Sequence, residues 1–194
     1  MKKIRFVDCG ANVGQSIDWA LDVFKDYDLR IDSFEPLPLN FNVLTEKYDN
    51  NSLITLHQAA ISHNDGTAEF YCQNWGARTG SSLLKGKAST TKNDICEVET
   101  INLLRWLNQN VNENETVILK IDIEGAEFEL LPVLLDNNLQ NNVKYWLVEF
   151  HYGKNIPSEN KEILERLTKS VEHLFDWGKM DKINEFKQQL RDLL

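Results

Sequence analysis

Apolar runs alternate with amphipathic stretches along the chain from Ile4 to Phe150. Short runs rich in branched apolar residues predict buried strands at Ile4–Asp8, Arg30–Glu35, Leu53–Gln58, Thr116–Asp122 and Lys144–Phe150. Apolar residues at helical spacing predict helices at Gly14–Lys25, Leu39–Tyr48, Ile101–Asn110 and Glu124–Asn137, with Thr100 as the N-cap of the third helix. Strands that alternate with helices in this way are typical of a parallel α/β sheet.

The segment Gly66–Glu99 interrupts this alternation. Thr67–Gln73 alternates like a half-exposed strand, and Ile95–Glu99 resembles another short strand. The stretch between them, Asn74–Asp94, is rich in Gly, Ser, Thr and Lys and is too long for a plain connection. It predicts either a functional loop or a disordered insertion.

After Phe150 the pattern is helical, and it predicts no sixth or seventh strand. A helix begins at Ser158, with an apolar stripe made of Ile163, Leu164, Leu167, Val171, Leu174 and Phe175, and a second amphipathic helix spans about Asp181–Leu194. We therefore divide the chain into a core over 1–157 and a helical extension over 158–194. The stripes predict packing on the same domain, with a homodimer interface as the alternative.

The net charge of -9 over 194 residues disfavours a nucleic-acid partner, because such proteins usually carry a basic face. The three cysteines, Cys9, Cys72 and Cys96, form no C-x-x-C pair. They therefore predict no disulfide framework and no zinc site. Without a signal peptide or an apolar run long enough for a membrane span, the sequence favours a reducing cytoplasm and no membrane partner.

The first motif is the glycine turn, Asp8-Cys9-Gly10-Ala11-Asn12-Val13-Gly14, between the first strand and the first helix. Asn12 stands where a dinucleotide-binding turn requires glycine, so the turn favours a ligand without a diphosphate. Asp8 would repel a diphosphate and attract an ammonium or sulfonium group, and S-adenosylmethionine carries both. The alternative is a plain turn in which Asp8 caps the helix.

Glu35 ends the second strand, where a nucleoside-binding fold places an acid that accepts hydrogen bonds from ribose hydroxyls. A solvated loop acid is the alternative. Small residues after the third strand, Ala59 and Ala60, would leave room for an adenine, although a plain strand end is equally compatible.

A second cluster of polar residues follows the fourth and fifth strands. Asp122 lies at the switch point next to the first strand, so it would face the reactive end of a ligand on the glycine turn. Glu124 and Glu127 favour the dipole of the next helix. His151, near Glu149, is either a general base or a hydrogen-bonded side chain. Asp122 and His151 could also bind a metal with Glu124 or Glu149, but the spacing is unspecific, and we assign no metal.

Several blocks in this order resemble the FkbM-like methyltransferases, a branch of the class I S-adenosylmethionine-dependent enzymes. The blocks are Val7–Gly14, Phe34–Pro36, Gln58–Ser62 with Gly66, Gly80–Leu83 and Lys120–Glu127. The likeness covers roughly residues 4–151. It implies a Rossmann-like, doubly wound, mostly parallel sheet of strand order 3-2-1-4-5, flanked by helices. The helical tail then implies a truncated sheet edge.

The resemblance also implies roles for individual residues. It implies cofactor contacts from Asp8, Gly10, Asn12, Gly14 and Glu35, a place for Asp122 near the transferred methyl group or the acceptor, and an acceptor loop that contains Ser81 and Ser82. Together with the residue patterns above, we also expect Ala60 and Asp122 to contact the cofactor, Glu124 to contact the acceptor, and Asp122 and His151 to act in catalysis. Known members mostly methylate hydroxyls of sugars or polyketide-type products. This sequence lacks the leader that often caps the acceptor site, so an open or partner-completed site is expected.

The leading hypothesis is a cytoplasmic, S-adenosylmethionine-dependent methyltransferase that acts on a hydroxyl of a sugar or small natural-product-like acceptor. One alternative is a non-catalytic methyltransferase-like module that assembles through its C-terminal helices. The other is an NAD-dependent oxidoreductase, which the missing central glycine disfavours.

Overall fold

The computed structural model describes residues 1–72, 81–84, 95–151, 158–178 and 183–193. The strands are β1 (Lys3–Cys9), β2 (Asp28–Phe34), β3 (Ile54–His57), β4 (Ala60–Ser62), β5 (Gly66–Tyr71), β6 (Ile95–Asn102), β7 (Thr116–Ile121), β8 (Tyr145–Val148) and β9 (His173–Asp176). The helices are α1 (Gln15–Val23), α2 (Pro38–Tyr48), α3 (Leu103–Asn110), α4 (Glu127–Asp136), α5 (Ser158–Ser170) and α6 (Ile183–Leu193), with a short 3-10 turn at Leu139–Asn141.

The main sheet has the order β3-β2-β1-β7-β8-β9, and every neighbouring pair is parallel. This confirms the predicted α/β fold and the order 3-2-1-4-5 for the five predicted strands. Helices cover both faces. Side chains of α3, α4 and α5 (Trp106, Leu130 and Leu167) pack into the core cluster on one face, and those of α1, α2 and α6 (Ile17, Leu44 and Leu190) into the cluster on the other.

The prediction of a purely helical chain after Phe150 is wrong at β9, which pairs with β8 at the sheet edge. Leu174 and Phe175, assigned to the helical stripe, are strand residues, and α5 ends at Ser170. Leu174 packs against one core cluster and Phe175 against the other. Neighbouring apolar residues on opposite faces are the mark of a strand buried on both sides. The domain boundary at residue 157 stays a prediction.

A second, three-stranded sheet of order β4-β6-β5 lies outside the main sheet. Ala60 belongs to its strand β4, and the predicted third strand, β3, ends at His57 rather than at Gln58. Thr100 is not the N-cap of α3, because it lies within β6. The cap is Asn102, whose side chain accepts a hydrogen bond from the Arg105 N–H at 3.0 Å. Within the described parts of the chain, no helix combines the length and apolarity that crossing a bilayer requires.

The α5 helix allows a direct test of how the C-terminal part stabilises the core. Leu167 is fully buried, whereas Leu164, one turn before it, is half-buried. We expect Leu167→Ala to lower the free energy of unfolding by about 2–5 kcal/mol, through lost burial and a residual cavity. Leu164→Ala is the matched control and should cost clearly less. Urea denaturation measures both, and equal losses would show that α5 does not pack as described.

Candidate functional site

A cleft lies at the carboxyl ends of the central strands and encloses about 580 Å³, together with the solvent at its mouth. The lining includes seven of the predicted site residues, namely Gly10, Asn12, Glu35, Ala60, Ser81, Asp122 and Glu124. Four others, Asp8, Gly14, Ser82 and His151, are placed behind or beside this wall. Most of the predicted loop Asn74–Asp94, and Tyr152–Pro157, lie outside the described residues.

The glycine turn packs directly on the end of β7. Gly10 has φ 90° and Asn12 has φ 51°, which are left-handed conformations that Gly and Asn adopt at least cost. A Cβ at Gly10 would collide with the carbonyl oxygen of Asp122. The N–H groups of Gly10 and Ala11 both donate to the Phe34 carbonyl, at 3.1 and 3.0 Å. The turn is therefore fixed between β2 and β7, with Asn12 facing the cleft.

Gly14 lets α2 approach the start of α1. A Cβ at Gly14 would clash with the Tyr48 ring, whose hydroxyl donates to the Gly14 carbonyl at 2.8 Å. Gly14 is the N-cap of α1, and no side chain caps this helix. The alternative in which Asp8 caps the helix is therefore wrong, while the predicted cofactor role of Gly14 stays a prediction.

The Asp8 carboxylate is completely buried behind the turn rather than exposed to the cleft. One oxygen accepts hydrogen bonds from the hydroxyls of Ser16 (2.6 Å) and Ser33 (3.1 Å), and the other lies 3.0 Å from the Lys120 ammonium. Its charge is thus matched within the protein. A direct contact between Asp8 and a cationic ligand stays a prediction.

Lys120 is a site residue to which the sequence analysis assigned no role of its own. Its buried ammonium donates to the Gly10 carbonyl at 2.7 Å and lies 3.3 Å from the Asp122 carboxylate, besides its pair with Asp8. Burial lowers the pKa of Lys120, but the two carboxylates outweigh it and raise that pKa above its ordinary value. The sequence did contain a signal for this role: Lys120 lies inside the buried run Thr116–Ile121, and a buried charge requires partners.

Glu35 lines the cleft but is already engaged by the protein. One carboxylate oxygen accepts from the Asn12 N–H at 2.9 Å, and the other from the Leu37 N–H at 3.0 Å and the Asn40 side chain at 3.4 Å. Burial raises the pKa of Glu35 to about 7, against these hydrogen bonds, which lower it. The solvated loop acid is therefore wrong, because Glu35 is buried.

His151 lies beside the cleft within a ring of carboxylates. Its Nε2 is 3.3 Å from Glu124, 3.5 Å from Glu149 and 3.8 Å from Asp122. Burial lowers the pKa of His151, but the hydrogen bond to Glu127 and the surrounding carboxylates outweigh it and raise the pKa. At neutral pH the ring is therefore a cation among anions more often than an isolated imidazole is.

Glu127 holds His151 in place. This fully buried residue accepts the His151 backbone N–H at 2.7 Å and lies 3.3 Å from its Nδ1, while its second oxygen accepts the Gly125 N–H at 2.7 Å. Glu127 does lie in the first turn of α4, as the dipole argument assumed, but its contacts orient the histidine. Glu124 precedes the helix, with φ 58°, and so does not lie in its first turn as predicted.

Asp122, Glu149 and His151 are also the described residues that could bind a metal, since one ligand atom of each lies within 4.8 Å of the others. The contact between His151 Nδ1 and Glu127 is the arrangement that commonly orients a metal-binding histidine. The same carboxylates are, however, already balanced in part by Lys120 and by protonation of His151. The assignment of no metal therefore stays a prediction.

The fold is that of a Rossmann-like α/β protein with a cleft at the carboxyl ends of its central strands. Residues 8–177 match the family model of the methyltransferase FkbM domain, and the chain belongs to this family. Its fold is similar to that of the crystal structure of methyltransferase FkbM from Methylobacillus flagellatus KT, with 20% identity and a TM-score of 0.52. The match covers 87% of this chain but only 36% of that one. A comparison with curated proteins found no match.

The ring of carboxylates around His151 predicts a pH-dependent stability. A raised pKa in the folded state stabilises the fold fully below the ordinary histidine value of 6.5, and this contribution is lost as pH rises through the raised value. We expect His151→Gln to destabilise the protein most at pH below 6.5, with a gap to wild type that narrows above it. His173→Gln is the control, because its side chain has the same 19% exposure but stacks on Tyr145 and faces the exposed carboxylate of Glu172 rather than a ring of carboxylates. Urea denaturation across pH would contradict this if the gap were constant.

Because the Lys120 ammonium already pairs with Asp122 in this ring, we expect the fold to need no metal. Dialysis against EDTA should leave Tm unchanged, and titration with Mn²⁺ should give no saturable heat. The opposite result, saturable Mn²⁺ binding that Glu149→Gln abolishes and the exposed control Glu113→Gln retains, would assign a metal to this ring.

Proposed function

We propose that this chain is an S-adenosylmethionine-dependent methyltransferase that methylates a hydroxyl of a sugar or small natural-product-like acceptor. The observation that carries the proposal is the cleft itself. The turn residues Gly10 and Asn12 and the acid Glu35 line the same cleft as Asp122 and Glu124. A ligand on the first group would therefore present its far end to the second. Membership of the FkbM family supports this use of the cleft.

The residues of the turn fit a nucleoside with a cationic tail. The side-chain oxygen of Asn12 is buried and has no hydrogen-bond partner among the described residues, so it can accept from a donor on the ligand. A carboxylate has about four acceptor sites, and the protein occupies three on Glu35. One ribose hydroxyl can therefore bind without rearrangement, and a second would displace the long contact from Asn40.

The far end of the cleft supplies groups for the acceptor. When bound, S-adenosylmethionine supplies a methyl group that its sulfonium already activates. The protein then needs to align the acceptor and take up its hydroxyl proton. Asp122 is the first candidate base, because it lines the cleft and its side chain is 23% exposed. His151, 3.8 Å behind it, can take a proton only when its ring is neutral.

Acceptor contacts are proposed for Ser81 and Glu124, which both line the cleft. Ser82 would contribute to acceptor binding indirectly. Its buried hydroxyl donates to the Glu124 carbonyl at 2.9 Å and so holds the Glu124 backbone in place. A small or carbohydrate acceptor agrees with the net charge of -9, which disfavours a polyanionic partner. A cytoplasmic location and a homodimer through the C-terminal helices are further proposals.

Isothermal titration with S-adenosylhomocysteine tests the cofactor site. We expect saturable binding that tightens by up to about tenfold between pH 6 and pH 8, because ligand hydroxyls donate to the ionised form of Glu35, whose pKa is about 7. Glu35→Gln should bind more weakly and lose this pH dependence, since an amide does not titrate. The exposed α2 variant Glu46→Gln should behave like wild type.

Absence of binding by folded protein would refute the methyltransferase proposal. Binding without turnover over a broad panel of hydroxyl acceptors would instead favour a non-catalytic module. An unchanged pH profile in Glu35→Gln would remove Glu35 from the cofactor site while leaving the proposal itself intact.

A further inference from the structure

Two thiols meet at the outer end of the small sheet. The Cys72 and Cys96 sulfurs are 3.4 Å apart, although the residues are 24 positions apart in sequence. Cys96 pairs with Phe70 across the β5–β6 ladder, and Cys72 lies two residues beyond Phe70. Residues two apart point to the same face, so both thiols project from one side of the sheet. Both are partly buried against the cluster of Ala60, Phe70 and Val98.

We propose that Cys72 and Cys96 form a reversible oxidation site, which a low-molecular-weight disulfide such as oxidised glutathione converts to an intramolecular disulfide. One thiolate attacks the oxidant, forming a mixed disulfide and releasing one glutathione thiol. The second thiolate then displaces the other glutathione thiol and forms the Cys72–Cys96 bond. The two cysteines lose two electrons and two protons, and both pass to the two glutathione products. Because the two sulfurs are close together, the second step is favoured over the reverse reaction, in which glutathione reduces the mixed disulfide.

The bond would join the two ends of a chain segment that contributes residues to the cleft. The chain between the two cysteines contains Ser81 and Leu83, which line the cleft. Ser82 is tied to Tyr71 by backbone hydrogen bonds of 2.8 and 3.0 Å, so this wall is already attached to β5 beside Cys72. A disulfide at this point adds a covalent link to an existing contact. Oxidation of this site would therefore restrain the side of the cleft at which the acceptor is proposed to bind.

The third cysteine provides an internal control. Cys9 is fully buried in β1, and burial, together with the Asp8 charge, raises the pKa of its thiol. It is thus shielded from the oxidant and held in its unreactive protonated form. In the folded protein we expect oxidation to involve Cys72 and Cys96 alone.

Tryptic mapping tests the proposal, because Lys and Arg positions place the three cysteines on separate peptides, 6–25, 48–78 and 93–105. Folded protein is treated with oxidised glutathione, excess reagent is removed, remaining thiols are alkylated, and the protein is digested without reduction. We expect peptides 48–78 and 93–105 to be joined, peptide 6–25 to be alkylated, and dithiothreitol to reverse the link. Tm should rise on the order of 5–10 °C on oxidation.

Cys72→Ser and Cys96→Ser should each abolish the joined peptide and the shift in Tm, whereas Cys9→Ala should retain both. The proposal is overturned if the two peptides stay separate, if either carries only a stable glutathione adduct, or if linkage occurs between molecules. These outcomes are independent of the titration with S-adenosylhomocysteine, so this site can fail while the proposed function stands, and the reverse.

Discussion

The buried ammonium of Lys120 is the point at which the strands, the glycine turn and the cleft are joined. It reaches from β7 to the carbonyl of Gly10, to Asp8 on β1 and to Asp122 at the cleft. Asp8 in turn accepts hydrogen bonds from serines on α1 and β2. Removing one member of a buried ion pair typically costs about 3–5 kcal/mol, because the other charge is left without compensation. The network therefore adds to the backbone hydrogen bonds that hold the turn against β2.

The same network sets the electrostatics of the cleft. The sequence predicts that the Asp8 carboxylate contacts a cationic ligand. In the structure Asp8 is buried and pairs with Lys120, whereas the Asp122 side chain lines the cleft. His151 performs a similar balancing role for Glu124, Glu127 and Glu149. Selection of a cationic ligand would then depend on the sum of these groups rather than on one carboxylate.

Much of the central fold could be predicted from sequence, because buried parallel strands appear as uninterrupted apolar runs and helices as periodic ones. The strand β9 could not be predicted, because its four residues follow closely on a helix and Leu174 and Phe175 continue the apolar stripe of that helix in the sequence. The glycine turn, Glu35 and Asp122 could be located because each directly follows a recognisable strand. The partners of Lys120 and Glu127 could not, since their contacts depend on the packed fold and join positions as far apart as Asp8 and Lys120.

Trp177, just after β9, shields the buried ammonium of Lys120 from water. Its backbone N–H donates to the Val148 carbonyl at 3.0 Å, its ring packs edge-on against Trp19, and the same ring lies 5.6 Å from the Lys120 ammonium. An aromatic face attracts a cation while excluding water from it. Trp177 thus covers the Lys120 ammonium on one side. Any shortened or rearranged version of the polypeptide would have to retain this indole shield, or hydrate the very charges that shape the ligand-facing turn.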